Sequence, residues 1–191
     1  MKKTMIVLLF VIALISLITV IIINQASFGK ASSGERLKRI HLSPNFRDGS
    51  FQNLNFTPVF AEDASKIDMI RDGIFKISKR KKPSTVLPSV KTNLKRLDPE
   101  KDVLIWFGHS SYFMQIDGKK FLIDPVFCGH ASPFSFMVKS FKGSDMYATE
   151  DFPDIDYLII THDHWDHLDY QTVSKLKTKV RKVITSLGTG A

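Results

Sequence analysis

Histidine and aspartate alternate in one short segment of this chain, residues 161–169, which we call the metal motif. Three of the six histidines in the chain, His162, His164 and His167, fall within six residues here, and Asp166 precedes the last of them. Neutral imidazole and carboxylate are ligand types that suit Zn²⁺ and related divalent ions. The order His-x-His-x-Asp-His is much more specific than an abundance of histidine, so it favours a metal site over a polar surface loop.

The residues around the metal motif predict how its ligands are positioned. An apolar run, residues 157–160, precedes the motif and predicts a buried strand. Because residues two apart in extended backbone point to the same side, His162 and His164 are expected to converge on one ion. Asp166 and His167 are adjacent in a loop that can turn them towards a second ion.

Strand patterns begin upstream of the motif. Residues 103–107 form an apolar run that ends at a glycine. Residues 112–116 and 119–123 flank Asp117 and Gly118, which predicts a hairpin with a type I′ turn. Asp124 follows the second of these strands.

A long loop and three further segments complete this half of the chain. Residues 129–143 are rich in Ser, Pro, Phe and Gly and predict a loop, whose aromatic residues either line an apolar pocket or pack in the core. Asp169 is the predicted N-cap of a helix over about residues 170–179. A strand over residues 180–185 and a glycine-containing loop follow.

The N-terminal segment contains a long apolar run. Residues 5–23 carry no charge over 19 residues, and at about 1.5 Å per residue they can cross a hydrocarbon core of about 30 Å. The run is longer than the apolar part of a cleaved signal peptide, about 7–15 residues. We therefore favour a retained single-pass membrane anchor over a cleaved signal peptide on a secreted protein. Basic residues lie on both sides of the run, so the charge pattern does not determine which side of the membrane the rest of the chain faces.

Charge and the middle of the chain limit the partners. The net charge of +8 comes from eight basic residues between Lys76 and Arg96, where no acidic residue occurs. Such a block attracts an anionic membrane surface or nucleic acid, although a solvated loop is the commoner interpretation. Nucleic acid is unlikely because no aromatic residue interleaves with the basic ones from Lys79 onward. Before the block, residues 61–78 predict a helix whose isoleucine stripe is a packing face, formed by Ile67, Ile70, Ile74 and Ile77.

The metal motif resembles that of the metallo-β-lactamase superfamily of dinuclear metal hydrolases. Residues 106–111, 122–127 and 131–133 are also similar to the branch that contains N-acyl-phosphatidylethanolamine-hydrolysing phospholipase D. The resemblance covers about residues 34 to 191. It implies an α/β (α+β) fold in which residues 99–191 form the N-terminal half of an αββα sandwich. An N-terminal extension (31–98) and a membrane anchor with its linker (1–30) would precede that half.

The resemblance also implies residue roles. His162 and His164 would bind one zinc ion, and Asp166 and His167 a second one. Asp166 would in addition orient the attacking hydroxide, which makes it the catalytic candidate. Two further side chains would support the site. Asp124 would be a polar group beside it. His109 matches a family position near the active site; the alternative interpretation is a buried, hydrogen-bonded structural histidine.

One departure from the family bears on activity. Hydrolases of this family complete the site with a further histidine, a bridging aspartate and a last histidine, all downstream of the residues present here. Two protein ligands per ion are fewer than the three typical of catalytic zinc. We therefore expect an N-terminal portion of such an enzyme, with weak metal binding and little activity on its own.

The functional expectation is a metal-dependent hydrolase, phospholipase-D-like, acting on a lipid-type phosphodiester. One alternative is an inactive fragment or a metal-binding half that needs a partner chain carrying the C-terminal half. Another is a hydrolase of the same superfamily that acts on a lactone or on a nucleic acid phosphodiester. The single cysteine, Cys128, excludes an intramolecular disulfide and is interpreted as a small hydrophobic residue, not a nucleophile.

Overall fold

The computed structural model describes residues 2–58, 60–61, 63–76 and 82–189. In chain order its helices and strands are α1 (Lys2–Ile23), α2 (Gly34–His41), β1 (Phe46–Arg47), β2 (Ser50–Phe51), α3 (Lys66–Phe75), β3 (Val103–Gly108), β4 (Ser111–Ile116), β5 (Lys119–Ile123), β6 (Ile155–Ile160), α4 (Tyr170–Leu176) and β7 (Val180–Thr185). The mixed α/β class predicted from the sequence is confirmed.

Strands β3 to β7 form one five-stranded sheet in the order β3-β4-β5-β6-β7. The first three strands are antiparallel, whereas β6 is parallel to β5 and β7 is parallel to β6. Asp117 and Gly118 both have positive φ angles, 48° and 70°, as a type I′ turn requires. The predicted hairpin is therefore confirmed, and its turn sets the register of β4 on β5.

One face of the sheet carries the core. Phe113, Leu122 and Leu158 of the sheet are buried against Phe152 and against Leu176 of α4. Leu94 and Leu97, from the segment predicted as an N-terminal extension, belong to the same packing. The core thus extends across the predicted boundary between residues 98 and 99.

The opposite face of the sheet is also apolar but more open. Leu104 and Trp106 of β3 are exposed, and their register places them in rows with Met114 and Tyr112 of β4. In the described part of the chain no helix packs over these two rows. Both faces of the sheet are therefore built from apolar side chains, and one of them is buried.

Helix α3 differs from its prediction. It spans ten residues from Lys66 and begins where the Ser65 hydroxyl accepts a hydrogen bond from Asp68 N, 3.2 Å away. Its isoleucines Ile67, Ile70 and Ile74 are exposed, so the predicted packing face is not buried against described residues. Ile77 and the basic residues 79–81 lie outside the described residues.

Helix α4 is shorter than predicted, and Lys179 makes its contacts outside the helix. The helix ends at Leu176, and the ammonium group of Lys179 donates hydrogen bonds to the carbonyl oxygens of Thr149 and Phe152, both at 3.0 Å. The backbone carbonyl of Lys179 accepts a bond from Ile155 N at 2.8 Å. These contacts direct the chain into β7 beside β6.

The N-terminal apolar run is helical throughout. Residues Lys3–Ile23 are long and apolar enough to cross a membrane, with a mean hydropathy of 3.5 and no burial inside the protein. A 3-10 turn, Ala26–Phe28, follows after Asn24 and Gln25. The chain then continues into α2 and the small hairpin β1–β2.

Candidate metal centre

The metal motif begins where β6 ends, beside the end of β5. The two strands are parallel and in register, with Ile123 opposite Ile159. Asp124 N extends this pairing by donating to Ile159 O at 2.9 Å. Parallel pairing therefore brings Asp124 next to Thr161, the first residue of the motif, at one edge of the sheet.

The Asp124 carboxylate organises this edge. Its side chain is 1% exposed, and its φ angle of 41° lies in the left-handed region, which aspartate tolerates better than most residues. One carboxylate oxygen accepts from Thr161 N at 2.8 Å. The other accepts from the Thr161 hydroxyl at 2.7 Å and from Nδ1 of His167 at 2.8 Å. Asp124 therefore lies beside the metal motif, and its supporting role at a metal site stays a prediction; the sequence did not predict its contact with Thr161.

These contacts determine which ring nitrogens can bind a metal. A carboxylate only accepts hydrogen bonds, so Nδ1 of His167 carries the proton and Nε2 keeps its lone pair. The Thr161 hydroxyl proton points at Asp124, so the hydroxyl oxygen accepts from Nδ1 of His162, 3.0 Å away. Both imidazoles are thereby held in the tautomer that offers Nε2 to an ion.

The histidines of the motif lie side by side. The ring centroid of His162 is 4.6 Å from that of His164 and 3.8 Å from that of His167. A turn brings them together, because His164 O accepts from His167 N at 2.9 Å and from Leu168 N at 2.8 Å. This turn brings the ring of His167 beside that of His162, which lies nearer to His167 than to His164. That His162 and His164 share one ion stays a prediction.

His109 approaches the motif from the turn between β3 and β4. Its Nε2 lies 3.0 Å from Oδ2 of Asp166 and 3.3 Å from Nε2 of His167, and the remaining distance, His167 Nε2 to Asp166 Oδ2, is 3.9 Å. The side chain is 60% exposed. It is therefore not the buried structural histidine of the alternative interpretation. A left-handed φ of 47°, directly after Gly108, aims it at the motif.

The three ligand atoms of His109, Asp166 and His167 fit a divalent ion. They all lie within 4.8 Å of one another. Around a tetrahedral ion with bonds of about 2.0–2.1 Å, neighbouring ligand atoms are about 3.4 Å apart. The three observed distances scatter around that value. Among the described residues, this cluster is the ligand group whose spacing meets the requirement.

A cavity of about 510 Å³ opens beside this cluster. His109 and Asp166 form part of its wall, and most of the remaining wall is apolar. Phe141 of the long loop lines it, whereas Phe134 and Phe136 stack on each other with ring centroids 5.7 Å apart. The loop thus contributes to a pocket through one of its three phenylalanines.

Asp169 is a second buried carboxylate whose role extends beyond the predicted helix cap. Oδ1 accepts from Gln171 N at 2.9 Å, as a cap does. Oδ2 accepts from Phe127 N at 3.2 Å, from Cys128 N at 3.0 Å and from the Thr172 hydroxyl. Asp169, the last residue of the metal motif, therefore ties the segment after β5 to the start of α4.

A family model described as the beta-lactamase superfamily domain matches residues 103–189, which contain β3 to β7 and the whole cluster. These residues belong to the metallo-β-lactamase superfamily. The superfamily segment covers the sheet, the metal motif and His109, so the resemblance seen in the sequence is confirmed.

Relatives of the superfamily segment occur in several organisms. An uncharacterized protein of Mycobacterium tuberculosis is 33% identical over 150 residues, which are 78% of this chain and 40% of the relative. The N-acyl-phosphatidylethanolamine-hydrolyzing phospholipase D 1 of Caenorhabditis elegans is 39% identical over 37% of this chain and 20% of the relative. A metal-dependent hydrolase of Pyrobaculum neutrophilum is 37% identical over 37% of this chain and 27% of the relative. The chain thus spans about 40% of the length of its mycobacterial relatives.

A solved structure is also similar to part of the chain. The diiron beta-hydroxylase CmlA of Streptomyces venezuelae is 32% identical over 45% of this chain and 15% of that chain, with a TM-score of 0.33. The ligand cluster, together with the similarity to a metal-dependent hydrolase of Pyrobaculum neutrophilum, supports binding of a divalent metal.

Replacing Asp124 by Asn tests the control of the His167 tautomer. The amide NH₂ of asparagine can donate a hydrogen bond to Nδ1 of His167. The imidazole proton then moves to Nε2, which loses the lone pair that binds the metal. We expect zinc affinity, measured by competition with a chromophoric chelator, to fall about 10–100-fold. Asp163→Asn removes the same charge from an exposed position of the motif and should leave the affinity unchanged. Equal losses in both variants would contradict the tautomer argument.

The thiol of Cys128 should react slowly. Burial raises the pKa of this thiol from the ordinary value of 9.0 to about 11. Since the thiolate is the nucleophile, its population at neutral pH should be about 100-fold lower than that of an unperturbed thiol. Iodoacetamide labelling of the folded protein should accelerate with pH up to about 11. The urea-unfolded chain is the control and should level off near the ordinary value; coincident pH profiles would refute the prediction.

Proposed function

We propose that this protein is a membrane-anchored, metal-dependent hydrolase that cleaves the phosphodiester bond of a lipid-type substrate. The observation that carries the proposal is the apolar cavity whose wall includes His109 and Asp166. The similarity to a phospholipase D of Caenorhabditis elegans and the long apolar helix α1 support the same substrate class.

Zinc is the metal we propose, because imidazole and carboxylate ligands in a tetrahedral arrangement suit it. His109, Asp166 and His167 would hold one ion, and His162 and His164 would contribute to a second. When bound, such ions act as Lewis acids and lower the pKa of a coordinated water towards neutrality. Asp166, with its carboxylate at the cavity wall, would also orient the attacking hydroxide.

The cavity favours a substrate with an apolar part. Its volume of about 510 Å³ lies beside the ligand cluster, and Trp106, Phe127 and Val138 are among the apolar side chains that line it. Pockets that bind small molecules are mostly apolar with a few placed polar groups, as in this case. A lipid phosphodiester combines an acyl chain for the apolar wall with an anionic centre for the ligand cluster. A lactone or a nucleic acid phosphodiester, the alternatives suggested by the superfamily, offers less apolar surface to this wall.

The proposed ligand role of His109 makes a prediction about affinity. His109→Ala should weaken binding of the tightest zinc ion by at least about tenfold, because losing a direct ligand costs no less than losing an outer-shell partner. Cobalt substituted for zinc should also lose visible absorbance intensity as its coordination changes. His41→Ala, at an exposed histidine that packs on Phe46, is the matched control. Unchanged affinity and an unchanged cobalt spectrum in His109→Ala would exclude this histidine as a ligand.

The substrate class is tested by a ratio of rates, which stays informative even if absolute turnover is low. The full chain, loaded with zinc in detergent micelles, should hydrolyse N-acylphosphatidylethanolamine faster than the glycerophosphodiester with the same headgroup and no long acyl chains on glycerol. Val126→Asp places a charge in the cavity wall and should reduce this ratio, because burying a charge beside an acyl chain is unfavourable.

The control for the substrate experiment is Val90→Asp, at an exposed position outside the cavity, which should preserve the ratio. Faster hydrolysis of a lactone or of a water-soluble nucleotide phosphodiester would overturn the proposed substrate class. An unchanged ratio of rates in the variant Val126→Asp would also overturn the proposed substrate class.

A further inference from the structure

The segment after helix α1 packs directly on the metal motif. The ring of Phe28 meets the indole of Trp165 edge to face, with centroids 5.3 Å apart and an interplanar angle of 74°. Trp165 lies between His164 and Asp166, two of the ligand candidates. The turn after the N-terminal helix and the metal motif, separated by more than a hundred residues in sequence, are therefore joined by an aromatic contact.

Backbone hydrogen bonds link the end of α1 to Phe28. Asn24 N donates to Val20 O at 3.2 Å and Gln25 N to Ile22 O at 3.1 Å, which continues the hydrogen bonding of the helix past its end. Phe28 N then donates to Gln25 O at 3.0 Å. These bonds connect the end of α1 to the turn that carries Phe28 and, through Phe28, to Trp165.

A second set of contacts supports the first. The Ser32 hydroxyl donates to Gly188 O at 3.3 Å, just after β7. A pocket between the two segments is lined by residues 26–30 on one side and by Trp165, Leu168 and Gly188 on the other. The segment from the membrane helix to α2 is therefore docked along the same edge of the protein that carries the metal motif.

The length of α1 places this contact relative to a bilayer. The apolar span Lys3–Ile23 has 21 residues, which at about 1.5 Å per residue match a hydrocarbon core of about 30 Å. Ile23 then lies at the edge of the hydrocarbon, and Phe28 and Trp165 lie at the level of the lipid headgroups. Aromatic side chains favour that level because their apolar bodies and polar edges suit the interface.

We propose that residues 24–30 hold the metal motif against the headgroup layer of the membrane in which α1 is anchored. The partner is a phospholipid bilayer surface, and Phe28 and Trp165 are the positioning residues. If the proposed function holds, the substrate reaches the ligand cluster sideways from this same membrane. The docking itself depends on α1 as a membrane anchor and not on any catalytic activity.

The depth of Trp165 in a membrane tests the proposal. The measurement is quenching of tryptophan fluorescence. The chain has two tryptophans, so the variant Trp106→Phe, at an exposed position, leaves Trp165 as the single fluorescent tryptophan. The full chain is reconstituted in vesicles of phosphatidylcholine and phosphatidylglycerol in equal parts, with nitroxide placed either on the headgroup or in the middle of the acyl chain. We expect nitroxide on the headgroup to quench the fluorescence of Trp165 more strongly than nitroxide in the acyl chain does.

Phe28→Ala should remove this preferential quenching, whereas Phe56→Ala, at an exposed phenylalanine, should retain it. The reciprocal variant Trp165→Phe retains Trp106 and supplies the background, so the Trp165 signal can also be obtained from the native chain by difference. Circular dichroism confirms that each variant is folded. These measurements need neither metal nor substrate.

Three results would overturn the proposal: no headgroup quenching of Trp165, quenching that Phe28→Ala leaves unchanged, or removal of α1 by processing in the membrane-isolated protein. Failure of lipid hydrolysis with the expected quenching would count against the proposed function alone. Lipid hydrolysis without the expected quenching would count against the headgroup contact alone.

Discussion

The hydrogen bonds to the Asp124 carboxylate are the interactions on which the rest of the site depends. An unpaired buried carboxylate costs several kcal/mol, on the order of the whole margin of folding stability. Asp124 is 1% exposed and is satisfied by Thr161 and His167. All three bonds require β5 and β6 to be parallel and in this register. A shift of one residue would leave the carboxylate unpaired, so the same contacts that stabilise the pairing also set the start of the metal motif.

Asp169 applies the same principle on the other side of the motif. Its carboxylate joins the segment after β5 to α4 through Phe127, Cys128 and Gln171. Buried carboxylates thus hold both ends of the metal motif. Asp124 binds its first residue, Thr161, and Asp169 is its last residue. Phe127 belongs to the cavity wall as well, so the bonds that fix the end of the motif also fix the pocket beside the ligand cluster.

Sequence patterns predicted the turns and strands whose formation depends on residues close together in the sequence. Asp117 and Gly118 specify a type I′ turn because both take positive φ, and apolar runs mark β3 and β6. The placement of His109 could not be read in this way, since one histidine after a glycine carries no periodic signal. Its approach to Asp166 depends on sheet order and on the turn between β3 and β4. The contact between Phe28 and Trp165 is equally non-local, and the isoleucine stripe of α3 predicted burial that its described surroundings do not supply.

The contrast between buried anchors and exposed ligand atoms argues for a binding site over a structural network. Asp124 is buried and fully paired, whereas the side chains of His109 and Asp166 are 60% and 44% exposed. Two imidazole nitrogens 3.3 Å apart, with a carboxylate oxygen 3.0 Å from one of them, bring three lone-pair donors together. A proton satisfies one pair of these atoms, but a divalent cation satisfies all three at once. Asp124 fixes the orientation of His167, and His109 and Asp166 face the cavity where a substrate would meet the ion.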